Sequence, residues 1–140
     1  MVRWIKPTVD TKFHIDFRWW ERRNQDFRLD LYAQLCEECR GKYPSHKETQ
    51  LVDWVDPDTA EVQRVDALWQ SLMTCCRQKP DYITEYTPLT TAVFRVFLSN
   101  GNTPLTPKEL HQILGRRTPE LILATIGGQQ VYHGIRPVQS

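Results

Sequence analysis

The chain lacks an excess of either charge. Its 18 lysines and arginines face 17 aspartates and glutamates, for a formal net charge of +1. A chain so balanced exerts no global pull on nucleic acid or a membrane surface, and any such binding would need a local patch. It also lacks a long apolar run: none nears the ~20 residues that cross a bilayer, so no membrane partner is expected. The opening Met1-Val2-Arg3-Trp4-Ile5-Lys6-Pro7 has no apolar core of the secretory kind, which predicts a cytoplasmic protein and disfavours structural disulfides. No phosphate loop, H-E-x-x-H run or nucleophile–base pair occurs, and a non-enzymatic role is expected. Internal repeats and low-complexity tracts are missing too. With 40% apolar and 25% charged residues, the 140-residue chain matches an ordinary globular protein. A disordered chain, a collagen and a long coiled coil are thereby excluded.

Tryptophan and cysteine are missing from one part of the chain. Trp4, Trp19, Trp20, Trp54 and Trp69, and Cys36, Cys39, Cys75 and Cys76, all precede residue 80. Residues 1–83 carry 13 basic and 14 acidic side chains, whereas residues 84–140 carry 5 and 3. The composition changes around Lys79-Pro80-Asp81-Tyr82, where proline follows a helical pattern. This predicts a cysteine-bearing module at 1–80 and a second module at 81–140.

In the first module, Lys12 to Phe17 alternates apolar and polar residues and predicts a strand facing Phe13, Ile15 and Phe17 to one side. Phe27, Leu31 and Leu35 follow i, i+4, i+8 and predict a helix ending near Gly41. Gln50 to Val55 and Glu61 to Val65 read as two short strands around Asp56-Pro57-Asp58-Thr59. Turn chemistry accounts for the acids Asp53, Asp56, Asp58 and Glu61 better than a hard-cation site, because no glycine-containing calcium loop is present. Asp66 then caps a helix whose apolar stripe is Leu68, Trp69, Leu72, Met73 and Cys76. Trp19 and Trp20, beside Arg22 and Arg23, could stack nucleobases, but large aromatics in a small module are more often core.

The cysteines form two close pairs, Cys36-Glu37-Glu38-Cys39 and Cys75-Cys76. Four thiols are the number a tetrahedral soft-metal site needs. Each pair is predicted at the C-terminal end of a helix. Cys36 and Cys39 share a helix face, whereas Cys75 and Cys76 would project about 100° apart and could converge only if the helix ends there. Zn2+ is the expected ion, an iron–sulfur cluster the alternative, and four buried metal-free thiols the third reading. His14 and His46 are possible substitute ligands. A thioredoxin-like redox pair is disfavoured, since there the C-x-x-C opens a helix and here it is expected to close one, where the dipole raises a thiol pKa. Arg40 after Cys39 excludes c-type haem attachment. A small, turn-rich module gains folding free energy from a metal staple.

The second module is the most regular. Thr87-Pro88 opens a helix with apolar Leu89, Val93, Phe94, Val96 and Phe97, stopped by Asn100-Gly101-Asn102. Thr106-Pro107-Lys108-Glu109 fits a capping box, with Leu110, Ile113 and Leu114 buried and Gly115 at the end. Thr118-Pro119-Glu120 starts a third helix, Leu121 to Ile126, broken by Gly127-Gly128. Gln129 to Val138 reads as a β arm. Phe94, Phe97, Leu110, Ile113, Leu114, Leu121 and Ile126 are expected to share one core.

Helix, extended link, helix, turn, helix and β arm, with Leu105-Thr106-Pro107-Lys108-Glu109-Leu110 leading into the second helix, resembles a winged-helix domain of the helix-turn-helix class over residues 84–138. The expected fold class is therefore α+β: a small cysteine-bearing α/β module followed by a winged-helix-like three-helix domain with a β arm. In DNA-binding winged helices the third helix enters the major groove and the wing touches the backbone or minor groove. The resemblance thus implies Arg116, Arg117, Gln129, Gln130, His133 and Arg136 as DNA contacts. The third helix, however, offers almost no polar side chain to read base edges, and an all-apolar helix is expected to be buried on both sides. Two functions follow: a small transcription-factor-like DNA-binding protein with a structural or sensing metal site, or an interaction subunit that uses the winged helix to dock a protein. One exposed face bearing Arg116, Arg117, His133 and Arg136 would favour DNA; burial or scatter of these residues would favour docking.

Overall fold

A computed structural model describes residues 6–43, 51–55 and 59–138. The fold is α+β. Its elements are β1 (Phe13–Ile15), α1 (Phe17–Arg22), α2 (Phe27–Ala33), α3 (Glu37–Lys42), β2 (Leu51–Val55), β3 (Val62–Asp66), α4 (Ala67–Thr74), a 3-10 turn (Cys76–Gln78), α5 (Leu89–Ser99), α6 (Pro107–Leu114), α7 (Pro119–Ile126) and β4 (Ile135–Pro137). Among the described residues, no helix is long and apolar enough to cross a membrane.

Short polar side chains set most helix starts by accepting from an otherwise unpaired N–H. Asp16, Asp26 and Asp66 cap α1, α2 and α4, and Thr118 caps α7. Thr106 and Glu109 form the capping box of α6, and Gly115 ends that helix in the left-handed conformation at φ 69°. Pro88 precedes α5 as its N-cap rather than occupying the first helical position.

Two antiparallel pairs complete the frame. β1 pairs with β4, Phe13 opposite Pro137 and Ile15 opposite Ile135. β2 pairs with β3, Leu51 opposite Asp66 and Val55 opposite Val62. The turn expected at Asp56-Pro57-Asp58 falls outside the described residues. Only Ile135–Pro137 of the expected β arm is strand.

Residues on both sides of position 80 share one core. Phe13, Ile15, Leu31, Leu68 and Leu72 pack in the same cluster as Phe94, Phe97, Leu110, Ile122 and Ile135. Trp20, Phe27 and Phe94 meet within that cluster, Phe27 edge-on to each of the other rings. Trp20 is buried and its indole N–H donates to the His133 carbonyl at 3.1 Å, and Trp69 donates likewise to the Leu98 carbonyl at 2.7 Å. Burial and these bonds make Trp20 a core residue, and Trp19 packs against it.

Four local expectations need correction. Phe17 is the first residue of α1 and not the end of a strand, because the Asp16 cap turns the chain. The helix expected to run to Gly41 is two helices, α2 and α3, separated at Gln34 to Cys36. Ile113 and Leu121 are 56% and 52% exposed, outside the core that holds Leu110 and Ile122. The third helix, α7, buries Ile122 and Ile126 only, so it is covered on one face and not two.

Candidate metal centre

The break between α2 and α3 puts the first cysteine pair in a geometry unlike the one its spacing suggests. Gln34 closes α2, and Cys36 is the N-cap residue of α3 with extended backbone angles of −67° and 162°. The C-x-x-C therefore opens a helix, which reverses the expected sign of the dipole at Cys36. At six residues α3 is far shorter than the ~12–15 an isolated helix needs, so it depends on what it is fastened to.

The second pair meets the condition that adjacent cysteines impose. α4 stops at Thr74, Cys75 is its C-cap residue, and Cys76 begins the 3-10 turn. Ending the α-helix between the two frees them from the 100° divergence of a regular helix. The sulfurs of Cys36, Cys39 and Cys75 all lie within 4.8 Å of one another. Cys76 Sγ lies 3.3 Å from Cys36 Sγ and accepts from the Cys36 backbone N–H at 3.1 Å. All four thiols are free. Four sulfurs around one Zn2+ at about 2.3 Å stand about 3.8 Å apart, so this cluster of cysteines is one that could hold a metal ion. His14 sits in β1 opposite Arg136, and His46 lies outside the described residues.

The thiols are electrically unequal. Burial pushes Cys36 up, but the Cys39 N–H and the S–H groups of Cys76, Cys39 and Cys75 outweigh it and hold Cys36 below the ordinary thiol value. Burial is the main cause that raises Cys39 and Cys76, each to about 11. Cys75 is raised to about 11 chiefly by its hydrogen bond with Cys39. Without an ion the cluster thus keeps Cys39, Cys75 and Cys76 as thiols, with Cys36 the most readily ionised of the four. A divalent cation reverses that preference, because its charge stabilises every ligand as thiolate.

Cationic side chains lie beside Cys36 and Cys76. Lys79 pairs with Glu38 at 2.7 Å, and Glu38 accepts from Cys75 Sγ at 3.6 Å. The Lys79 bond is the main cause that holds the Glu38 carboxyl below its usual range. Cys36 and Cys76 line a cavity of about 250 Å³ together with Arg40, Lys79, Tyr82 and Arg95. Arg95 is fixed there by bonds from Nε to Gln34 Oε1 at 2.8 Å and from Nη1 to the Tyr82 carbonyl at 2.5 Å. Burial pushes the Tyr82 phenol well up, so it stays protonated and donates to the Arg95 carbonyl at 2.6 Å. None of Glu38, Lys79, Tyr82 and Arg95 was expected at this site. Glu38 and Lys79 are 41 positions apart, and no local pattern links them.

The residues expected to touch DNA differ in their surroundings. Arg116 Nη1 donates to the Glu85 carbonyl at 2.7 Å and Nη2 to the Thr87 carbonyl, which ties α6 to the segment before α5. His133 stacks on Phe94 with ring centroids 4.4 Å apart and bonds Asp30 Oδ2 at 3.2 Å. Arg136 pairs with Asp16 at 3.6 Å. Arg117 is exposed, at φ 62°, and its carbonyl accepts from His111 Nδ1 at 2.5 Å. Gln129 and Gln130 are exposed. A scan of family models, a search of curated proteins and a search of solved structures each found no match to this chain.

Proposed function

We propose that the protein is a zinc-binding, non-enzymatic interaction protein. One Zn2+, held by Cys36, Cys39, Cys75 and Cys76, fastens the α2–α3 junction to the end of α4. The observation that carries this reading is the approach of thiols from two distant segments: Cys36, Cys39 and Cys75 have their sulfurs within 4.8 Å of one another, Cys76 Sγ lies 3.3 Å from Cys36 Sγ, and the Cys36 backbone N–H is aimed at Cys76. Such N–H bonds stabilise thiolate charge, as the cations Lys79, Arg40 and Arg95 do around a centre that would carry two net negative charges. An all-sulfur set suits zinc or an iron–sulfur cluster. Zinc is favoured because four ligands complete a closed structural site, which also explains how a six-residue α3 is held. Metal analysis of the purified chain tests this part, with one zinc per chain and no visible absorption expected.

For the winged-helix-like α5–α7 region, a protein target is favoured over DNA. Arg116, His133 and Arg136 are spent on partners within the fold, and the exposed side chains of α7 include apolar Leu121 and Ala124, which cannot read base edges. Titration with duplex and single-stranded DNA at low salt is expected to show no binding. A complex whose affinity falls with a salt slope of several units would instead establish the DNA-binding role. Arg116→Ala is expected to cost about 1–3 kcal/mol of stability, since the Thr84, Glu85 and Thr87 carbonyls lose a charged donor.

A further inference from the structure

We propose that Cys36 and Cys76 are an oxidative modification site of this centre: a peroxide joins them as a disulfide and the metal leaves. This rests on the metal reading of the four-thiol cluster. Three observations single out the pair. Their sulfurs are 3.3 Å apart. Both line the cavity of about 250 Å³, whereas Cys39 and Cys75 do not. That volume is ample for peroxide, since one water occupies about 30 Å³ in the liquid. The two residues also come from different segments, 40 positions apart, so a bond of about 2.05 Å between them would hold the α2–α3 junction to the 3-10 turn as the ion does.

The chemistry balances within the pair and its oxidant. The Cys36 thiolate attacks one peroxide oxygen, the O–O bond breaks, and Cys36 becomes a sulfenic acid as hydroxide departs. Cys76, a thiolate as a zinc ligand, then attacks the Cys36 sulfur, the S–S bond forms, and the S–O bond breaks to release a second hydroxide. Two electrons pass from the two sulfurs to the peroxide oxygens. Cys39 and Cys75 remain as two ligands, too few for a closed tetrahedral site, and the zinc is released. Of the alternative pairings, Cys36 with Cys39 stays within one helical turn and Cys75 with Cys76 joins neighbours, so neither fastens the two segments; the other cross-segment pairs, Cys36–Cys75, Cys39–Cys75 and Cys39–Cys76, each use a thiol that does not line the cavity. The Cys36–Cys76 bond instead substitutes one staple for another, so release of the ion leaves the fold closed.

The test uses the full chain loaded with zinc and treated with stoichiometric hydrogen peroxide. Zinc release is followed with a chromogenic chelator, and disulfides are mapped by mass spectrometry after alkylation. The expected result is one zinc released per Cys36–Cys76 crosslink, with helical circular dichroism retained and zinc binding restored by dithiothreitol. In Cys76→Ser the crosslink is expected to vanish and a Cys36 sulfenic acid to be trapped by dimedone. Crosslinks at any pair other than Cys36–Cys76, or zinc release with all four thiols still alkylatable, would overturn the proposal. A chain that takes up no zinc overturns the metal reading, and the crosslink map of that same chain still decides the pairing.

Discussion

The side-chain amide of Asn102 closes both backbone hydrogen bonds of Ile15: Oδ1 accepts from the Ile15 N–H at 2.8 Å, and Nδ2 donates to the Ile15 carbonyl at 3.0 Å. Phe13, two residues earlier, makes the same exchange with the Leu105 backbone at 2.8 and 3.0 Å. Asn102 thus stands in for a strand residue beside β1, on the side that β4 does not cover. Asparagine also suits the position because its backbone is left-handed, at φ 63°. Asn102→Gly keeps that backbone and removes only the side-chain bonds; we expect a loss of about 1–3 kcal/mol by urea denaturation. Asn102→Ala should cost about 1 kcal/mol more, from the strain of a left-handed alanine.

The two faces of α6 make opposite predictions. Leu110 is fully buried and Ile113 is 56% exposed. Leu110→Ala should cost about 2–5 kcal/mol, as core truncations do. Ile113→Ala should stay within about 0.5 kcal/mol of the parent. Equal losses in chemical denaturation would mean that α6 is rotated from the position described.

The α6 capping box should be sensitive to acid. Glu109 accepts from the Thr106 backbone N–H at 3.0 Å, which is the main cause that holds its carboxyl below the usual value. A carboxyl depressed in the folded state stabilises it above the unfolded pKa, near 4.3, and loses that contribution as pH falls through the lower folded value. Glu109→Ala should therefore lower Tm at pH 7, and the gap to the parent should shrink as the pH falls below about 4. Thermal melts across that range check it. A gap unchanged at low pH would contradict the ionic part of the cap.

Much of the fold can be read from local chemistry. The caps at Asp66, Thr106 and Thr118, the Glu109 partner and the stop at Gly115 act over three or four residues, and each appears where the sequence puts it. Elements whose limits depend on distant partners are less legible. The helical spacing of Phe27, Leu31 and Leu35 continues past Ala33, yet α2 ends there and Cys36 is freed to meet Cys76. The α-helical run of α4 ends one residue before Cys75, which brings the two thiol pairs together. Arg116 reads as a phosphate-binding side chain in sequence, but the carbonyls it satisfies belong to Glu85 and Thr87, about 30 positions away. Ile113 and Leu121 have the apolar character of core residues and nevertheless face solvent, because Leu110, Ile122 and Ile126 already fill the space over α5.

The most direct test of the metal centre is the metal content of the chain purified without added metal, measured by elemental analysis beside its absorption spectrum. One zinc per chain with no visible absorption is the predicted result, and Cys36→Ser should release the ion and lower stability by several kcal/mol. A parent chain that holds no zinc and unfolds identically with and without a chelator would contradict the account, as would a visible absorption band carried by iron and sulfide.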